Sequence, residues 1–314
     1  MIRIRESGGI ELDGRVWLDP EKRRPCAIVT HAHGDHIERH GLTHATPETG
    51  ALMRLRLGDE LEIVTHGFEE PFEVEGFTVT FFPAGHMLGS AMVLVEKDGE
   101  RILFTGDVKL RANLTCPPAI VPQCDRLITE CTFGLPVFRF PPAEAVRQQM
   151  IRFVEGCHVE GQSPIILAYA VGKGQEVAKG LGEAGVGVCV PTWTWEVMDL
   201  YQSFGVTFPN VVRYDGNNLE GRVLVVPPGR RYHSLIKRIE PRRIGYASGW
   251  ALRKRAPFSA EIDEYFPLSD HADFDELIEL IERAAPREIL VTHGYKEAFA
   301  RELCSRGYEA RLLA

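Results

Sequence analysis

The chain has 314 residues, 44% of them hydrophobic and 25% charged, which is ordinary for a globular protein of one large or two moderate domains and excludes a disordered or fibrous chain. No run approaches the roughly 18 apolar residues of a membrane helix, the N-terminus lacks the apolar core of a signal peptide, and the seven cysteines form no CxxC pair, so we expect a cytoplasmic protein without a membrane partner. The net charge of −8, from 44 acidic and 36 basic residues, by itself argues against a nucleic-acid binder.

Four apolar runs each end at a histidine or an aspartate beside a glycine. Short β-branched runs bounded by glycine or proline predict buried strands. The carboxyl ends of such strands are where ligands and metals gather in α/β layers. The runs are Cys26–Val29, Phe77–Phe82, Ile102–Phe104 and Ile289–Val291, and they lead to His31–His36, His86, Asp107 and His293 respectively.

Helices alternate with these strands. Helical apolar stripes begin near Pro47, Pro142 and Asp273. Between the last two, the runs Ile165–Ala170, Val186–Val190 and Val223–Val226 continue a strand–helix rhythm. We therefore predict an α/β fold in which a second α/β unit, residues 137–267, is inserted between residues 1–136 and 268–314 of the first.

The segment His31–His36 has the spacing HxHxDH. Two histidines two positions apart in an extended loop can bind one ion, and Asp35 with His36 can bind a second. Imidazole and carboxylate donors suit zinc, with manganese and iron as alternatives, and do not suit calcium. His86, Asp107 and His293 are the natural remaining ligands because each follows a strand, and the carboxylate of Asp107 can bridge two ions.

The basic residues are concentrated late in the predicted insert. Between Arg222 and Arg255 there are ten lysines and arginines and one acid, Glu240, so this segment carries +9 and the rest of the chain −17. Such asymmetry is typical of a surface that faces phosphates, and a solvated basic face is the alternative. We expect five residues of the insert to hold a nucleic-acid backbone. They are Lys173, Ser248, Arg253, Lys254 and Arg255.

Together these residues resemble the metallo-β-lactamase superfamily, and more narrowly its β-CASP nucleases. His86 in Pro83–Ala91 and Asp107 in Phe104–Asp107 follow that branch's pattern. Three further motifs match Glu130, His271 and His293. Within the branch, the chain most resembles the bacterial ligase-associated DNA exonucleases, which are similar to mRNA 3′-end processing nucleases. The segments that carry this resemblance are Thr129–Pro136 with Phe138–Pro141, Ala168–Gln175, Ala247–Trp250 and the motifs around His271 and His293.

The resemblance implies an αββα sandwich with an inserted smaller α/β β-CASP domain and a two-metal phosphodiesterase site. Asp35 would orient the attacking water, His271 would protonate the leaving oxygen, and Glu130 would orient a catalytic histidine. For His271 and Glu130, a helix-start role and a structural hydrogen bond are the alternatives. One ion would be held by His31, His33, His86 and Asp107, and the other by Asp35, His36, Asp107 and His293.

The expected activity is that of a DNA exonuclease acting on single-stranded DNA in repair, in functional association with an ATP-dependent DNA ligase and a helicase. A histidine at the third motif, here His293, is typical of RNA-directed members, so an RNA-processing exo- or endoribonuclease is the alternative. A thioester or small-ester hydrolase would leave the insert and the basic segment unexplained. A non-catalytic scaffold subunit would not need the intact ligands.

Overall fold

The structure is a computed structural model that describes residues 3–6, 9–254 and 261–313. The strands, in chain order, are β1 (Ile4–Glu6), β2 (Ile10–Leu12), β3 (Val16–Leu18), β4 (Cys26–Ile28), β5 (Leu42–Ala45), β6 (Ile63–Thr65), β7 (Phe72–Val74), β8 (Phe77–Pro83), β9 (Ala91–Lys97), β10 (Glu100–Phe104), β11 (Arg126–Cys131), β12 (Ser163–Leu167), β13 (Gly187–Val190), β14 (Val211–Arg213), β15 (Arg222–Val226), β16 (Arg242–Ala247), β17 (Glu264–Phe266), β18 (Glu288–Gly294) and β19 (Ala310–Leu312).

The helices are α1 (Pro47–Leu57), α2 (Ala143–Val159), α3 (Lys173–Glu183), α4 (Thr192–Ser203), α5 (Arg230–Lys237), α6 (Phe274–Ala284) and α7 (Lys296–Ser305), and a short 3-10 helix covers Gly249–Arg253. The starts of α1 and α6 follow capping signals of the sequence. The Thr46 hydroxyl accepts a hydrogen bond from Thr49 N at the start of α1, and Asp273 and Glu276 form a capping box at the start of α6. Within the described ranges, none of these helices is long and apolar enough to cross a bilayer.

The chain divides into two compact units. Unit 1 comprises Met1–Arg139 and His271–Ala314, and unit 2 comprises Phe140–Asp270. Unit 1 contains two mixed sheets, with strand orders β1-β2-β3-β4-β5-β6 and β19-β18-β11-β10-β9-β8-β7. Its catalytic candidates therefore come from both ends of the chain.

The two sheets of unit 1 pack face to face. One cluster of buried residues joins Leu12 and Ile28 of the first sheet to Phe81 and Val95 of the second. On the other face of the second sheet, α6 and α7 bury their apolar stripes. These layers, with α1 beside β6, confirm the αββα sandwich implied by the resemblance.

Unit 2 is a six-stranded, fully parallel sheet of order β14-β13-β15-β12-β16-β17. Alternate residues of its strands face opposite sides. One side packs against α2, α3 and α4, and the other packs against α5 and the 3-10 helix. Burial on both faces explains why the strands are continuous apolar runs in the sequence. The predicted α/β fold of the inserted unit is thus confirmed.

Candidate metal centre

The HxHxDH segment follows β4 as a loop that turns at residues 34–36, where His36 N donates to His33 O at 3.1 Å, and neighbouring side chains hold it in place. Thr30 N donates to Asp19 Oδ1 at 2.7 Å, and Thr30 Oγ1 lies 3.0 Å from His31 Nδ1. Further along, Arg56 Nη1 donates to Ala32 O at 2.6 Å. The ring nitrogen of His31 that is not engaged by Thr30 therefore points into the site.

Four predicted ligands converge from three separate loops. The ligating atoms of His31, His33, His86 and Asp107 all lie within 4.8 Å of one another. His31 Nε2 and His86 Nε2 lie 3.3 and 3.7 Å from Asp107 Oδ2. The imidazole rings stand nearly perpendicular to one another, with interplanar angles of 80° to 87°. This arrangement lets three imidazoles and one carboxylate face a common point.

Glycines immediately before two of these ligands permit the close approach. Gly85 and Gly106 have φ angles of +73° and +52°, and a Cβ would lie 2.2 Å from Lys109 O and 2.6 Å from Thr30 Oγ1, respectively. No larger residue fits either position without a shift of the backbone. The strand–glycine–ligand pattern of the sequence therefore has a steric cause.

The donor set fits a divalent metal ion. Three imidazoles and a carboxylate are ligands that zinc accepts in tetrahedral geometry. His31 is fully buried, and its Nε2 has no hydrogen-bond partner among the described residues, although it faces Asp107. Burial keeps the pKa of His31 well below its usual value, so its imidazole is neutral and able to coordinate. The neighbouring histidines outweigh burial and hold the pKa of Asp107 well below its usual value.

A cavity of about 240 Å³ opens beside this cluster. Its polar lining residues include Asp19, Asp35, His36, Asp107, Glu130, His293 and Lys296. Burial opposes protonation of His36, but the carboxylates of Asp107, Asp19 and Asp35 outweigh it and raise the pKa of His36 to about 10. The excess of carboxylates makes the cavity a place where positive charge is stabilised.

The predicted ligands of the second ion share this cavity but do not all converge. His36 Nε2 lies 3.6 Å from Asp107 Oδ2 and 3.8 Å from Asp35 Oδ2. Asp35 is two-thirds exposed, and His293 is exposed with a φ of +48°. Among the described residues, neither belongs to a close group of three potential ligands. Binding of a second ion there would require these two side chains to move inward.

Asp19 is a site residue that the sequence reasoning missed. Its Oδ2 lies 2.8 Å from His36 Nδ1, and its two oxygens accept hydrogen bonds from Thr30 N and Thr30 Oγ1. It forms a second close group with His31 and His36. The signal was present, because Asp19 follows the apolar strand β3 as Asp107 follows β10. No glycine stands beside Asp19, whose neighbours are Leu18 and Pro20, so the strand–glycine–ligand pattern did not mark it.

Glu130 and His271 form a pair next to Asp107. His271 Nδ1 lies 2.9 Å from Glu130 Oε1, and His271 Nε2 lies 4.0 Å from Asp107 Oδ2. Glu130 is almost fully buried and also accepts hydrogen bonds from Val108 N and Thr132 N. The carboxylate thus fixes the imidazole so that its second nitrogen faces the cluster.

The predicted phosphate-binding residues of unit 2 differ in exposure. Lys173 is 1% exposed, with Nζ 3.0 Å from Asp270 Oδ1, and the buried Ser248 caps the 3-10 helix by accepting from Trp250 N. Their burial argues against direct contact with a substrate. Arg253 and Lys254 are exposed at the end of the 3-10 helix. Arg255 lies outside the described residues.

Comparisons with known proteins agree with this architecture. A family model described as "Zn-dependent metallo-hydrolase RNA specificity domain" matches residues 255–313. A "Probable DNA ligase" of Opitutus terrae is 36% identical over 94% of this chain and 29% of its own length. An "RNase J-like protein" of Methanocaldococcus jannaschii is 30% identical over 52% of this chain and 45% of its own length. The chain therefore spans less than half of these curated relatives.

A solved structure shows the same fold. The crystal structure of a protein of unknown function from Enterococcus faecalis V583 superposes with a TM-score of 0.63 at 15% identity, covering 92% of this chain and 79% of that one. The sandwich and the histidine–aspartate cluster define the class of metallo-β-lactamase-fold proteins. Within that class, the RNA specificity domain matched at residues 255–313 and the similarity to the RNase J-like protein support the β-CASP branch.

Proposed function

We propose that this chain is a two-metal nuclease that hydrolyses phosphodiester bonds of DNA from an end. The observation that carries the proposal is the convergence of His31, His33, His86 and Asp107 beside His271, which the buried Glu130 holds. Phosphodiester hydrolysis needs such a combination, because the anionic substrate repels nucleophiles and the leaving oxygen must be protonated.

The proposed ligands divide into two sets that share Asp107. His31, His33, His86 and Asp107 would hold the first ion, and Asp35, His36, Asp107 and His293 the second. Zinc suits these donors, with manganese and iron as alternatives. Two such ions, when bound, would acidify a water molecule, bind a phosphate oxygen and offset the charge that builds in the transition state.

The chain's own residues would orient the reactants and move the proton. Asp35 would accept a hydrogen bond from the attacking water at the exposed rim of the cavity. His271 would donate the proton on Nε2 to the leaving oxygen, since Glu130 holds Nδ1 at 2.9 Å and leaves Nε2 facing the site. Arg253, Lys254 and Arg255 would hold the substrate backbone by charge, independently of sequence.

The choice of DNA rests on the extent of the similarity. The relative named a probable DNA ligase matches 94% of this chain, whereas the RNase J-like relative matches 52%. In the former, the region similar to this chain shares one polypeptide with further sequence. This supports an exonuclease that prepares single-stranded DNA ends in repair, in functional association with an ATP-dependent DNA ligase and a helicase.

An RNA-processing nuclease is the second candidate. It is favoured by the description of the matching family model as an RNA specificity domain and by His293 at the third motif. The same catalytic residues would serve both substrates, so the two candidates differ only in how the nucleic acid is held.

A labelled-end assay tests the proposal. Single-stranded DNA and RNA of the same sequence, labelled at either the 5′ or the 3′ end, are incubated with metal-loaded protein and with the His33→Ala variant. We expect wild-type protein to shorten the DNA progressively from one end and the variant to be inactive. Preferential cleavage of RNA would favour the second candidate, and equal cleavage by wild type and variant would refute a metal-dependent nuclease.

A further inference from the structure

Unit 2 contains one helix whose charges oppose the electrostatics that normally stabilise helices. The helix α5 starts with Arg230 and Arg231 and has no acidic residue in its first turn. A helix N-terminus carries partial positive charge, so acids are favourable there and cations unfavourable. The helices α1, α2, α3, α6 and α7 each have an acid in the first turn. Arg231 lies over the Tyr232 ring, 5.7 Å from its centroid, but both arginines are placed where the helix dipole disfavours them.

The cations of α5 lie on one side of the helix. Four basic residues fall within an arc of about 120° at 3.6 residues per turn. The opposite side is apolar and packs onto the sheet of unit 2 through Tyr232, Leu235 and Ile236. We call the four exposed cations Arg230, Arg231, Lys237 and Arg238 the basic face.

The basic face has no counter-charge of its own. In the described part of the chain none of its four members forms an ion pair, whereas the nearby Arg243 lies 3.8 Å from Glu160 and Arg242 pairs with Glu240. The sequence contains no acid between Glu220 and Glu240. Four unpaired cations on one exposed surface repel one another, and a bound polyanion would relieve that repulsion.

The spacing and composition of the basic face favour a phosphate backbone over a small anion or a protein partner. Arg230 and Arg231 precede Lys237 and Arg238 by seven residues, or about 10 Å along the helix axis. One small anion cannot contact both pairs at once, but successive phosphates of a strand can. A protein partner would bury apolar side chains at the centre of its interface, and the exposed side of α5 has no apolar residue.

We propose that the basic face of α5 binds the sugar–phosphate backbone of the nucleic-acid substrate and tethers it to unit 2. This inference rests on the proposed nuclease function and assigns backbone binding to residues other than Arg253–Arg255. Binding is independent of base sequence and weakens as salt concentration rises, because phosphate contacts release counterions.

The test compares two variants of equal charge change. In the first, Arg230, Arg231, Lys237 and Arg238 are all replaced by Gln. The matched control carries the same replacement at four exposed arginines of unit 1, namely Arg283, Arg287, Arg301 and Arg306. Fluorescence anisotropy measures the affinity of metal-loaded protein for single-stranded DNA of about thirty nucleotides with phosphorothioate linkages, which resist hydrolysis.

We expect the basic-face variant to lose at least about tenfold in affinity at low salt. Its slope of log K against log salt should become shallower by about 2 to 3, since each phosphate contact on a single strand contributes about 0.7. The control should stay within about twofold of wild type. An unchanged slope in the first variant, or an equal loss in the control, would overturn the proposal.

Two further measurements keep the outcome interpretable. The Arg230→Gln/Arg231→Gln double variant removes cations from a helix N-terminus, so it should lose about half of the slope change without a lower melting temperature. An unchanged slope in this folded variant would also count against the basic face. Hydrolysis of bis(p-nitrophenyl) phosphate, which has a single phosphate and no backbone to be held by the basic face, should be unaffected. If no protein hydrolyses any phosphodiester but the affinities change as expected, the nuclease proposal fails and the basic face stands.

Discussion

At the scale of single residues, the properties of the candidate metal centre depend on burial as much as on the types of ligand. His31 and His86 are fully buried, and Asp107 is nearly so. Burying imidazoles around a carboxylate removes water from their polar atoms, and a metal ion would satisfy them together. Each proposed ligand would therefore contribute to ion affinity and to the fit of its neighbours.

Replacing His33 by Ala should remove one metal ion and nearly all activity. His33 Nδ1 lies 3.0 Å from His86 Nε2, so its loss opens the cluster on one side. We expect at least one fewer metal equivalent per chain and a fall in cleavage of more than about a hundredfold. Metal analysis and the labelled-end assay measure both effects. The exposed His158 on α2 provides the control, because His158→Ala should bind metal and cleave normally.

Replacing His271 by Ala should slow the chemical step without removing metal. A positioned acid contributes about 10² to 10⁴ in rate, so kcat should fall by that factor. A substrate with a p-nitrophenolate leaving group needs little protonation and should lose much less. Glu130→Gln should show the same pattern to a smaller extent, since Gln can still accept a hydrogen bond from Nδ1. Equal losses on both substrates would contradict the acid role of His271.

His44 should make unit 1 sensitive to acid. Burial and, secondarily, His66 lower the pKa of His44 to about 4, and its Nδ1 lies 2.9 Å from His66 Nε2. The unfolded chain therefore binds a proton between about pH 6.5 and 4 that the folded chain does not, so stability falls as pH falls through that window. We expect His44→Gln to lose roughly 1–3 kcal/mol of this pH dependence. Denaturant unfolding at pH 7 and pH 4.5 measures it, and parallel curves for both proteins would contradict the assignment.

At the scale of elements, the loop after β10 and the start of α6 are tied together. Ala272 N donates to Val108 O at 2.6 Å, and Glu276 Oε1 accepts from Leu110 N at 3.0 Å. Arg111 reaches both acids of the capping box, pairing with Asp273 and with Glu276 at 3.4 Å. The positions of Asp107 and His271 relative to each other therefore depend on this contact.

Arg111→Gln should lower kcat by about tenfold and leave KM and metal content near wild type, because it loosens the position of His271 rather than a ligand. Arg139→Gln is the matched control. Arg139 pairs with Asp275 in the same first turn at 2.8 Å but makes no contact of this kind with the loop. Steady-state kinetics measures the change in kcat, and thermal melting shows whether either variant is destabilised. A lower melting temperature with unchanged kcat would contradict a positioning role for Arg111 and leave only a structural one.

At the scale of the whole molecule, the proposed metal ligands belong to one unit and the basic face to the other. All seven predicted ligands lie in unit 1, which has its own buried clusters, and unit 2 has separate ones. A metal ion would join loops that are far apart along the chain but lie within one fold. Its contribution to stability should therefore be confined to unit 1.

Removing metal by chelation should raise amide hydrogen exchange in three loops of unit 1. These are residues 29–36, 84–90 and 105–110, which carry the ligands after β4, β8 and β10. Exchange in α2, α3 and α4 of unit 2 should stay within experimental error, because their core contains no ligand. Hydrogen exchange followed by mass spectrometry gives both readings. An equal rise in both units would contradict a metal centre built within unit 1.

The sequence by itself determined the local features of this protein. The spacing of apolar residues predicts the strands β4, β8, β10 and β18, and capping chemistry predicts the helix starts at Thr46 and Asp273. Both signals act over a few residues. The HxHxDH spacing and the glycines before His86 and Asp107 likewise have local causes. These features were sufficient to predict an α/β fold and the first group of ligands.

Only the tertiary structure decided which distant residues meet and which are buried. It brought Asp19 to His36, buried Lys173 against Asp270, and left His293 exposed at the rim of the cavity. It also placed the cations of α5 opposite the apolar side of the helix, with no acid paired to them in the described residues. Such contacts depend on how whole sheets and helices pack, and a periodic pattern along the chain does not specify that packing.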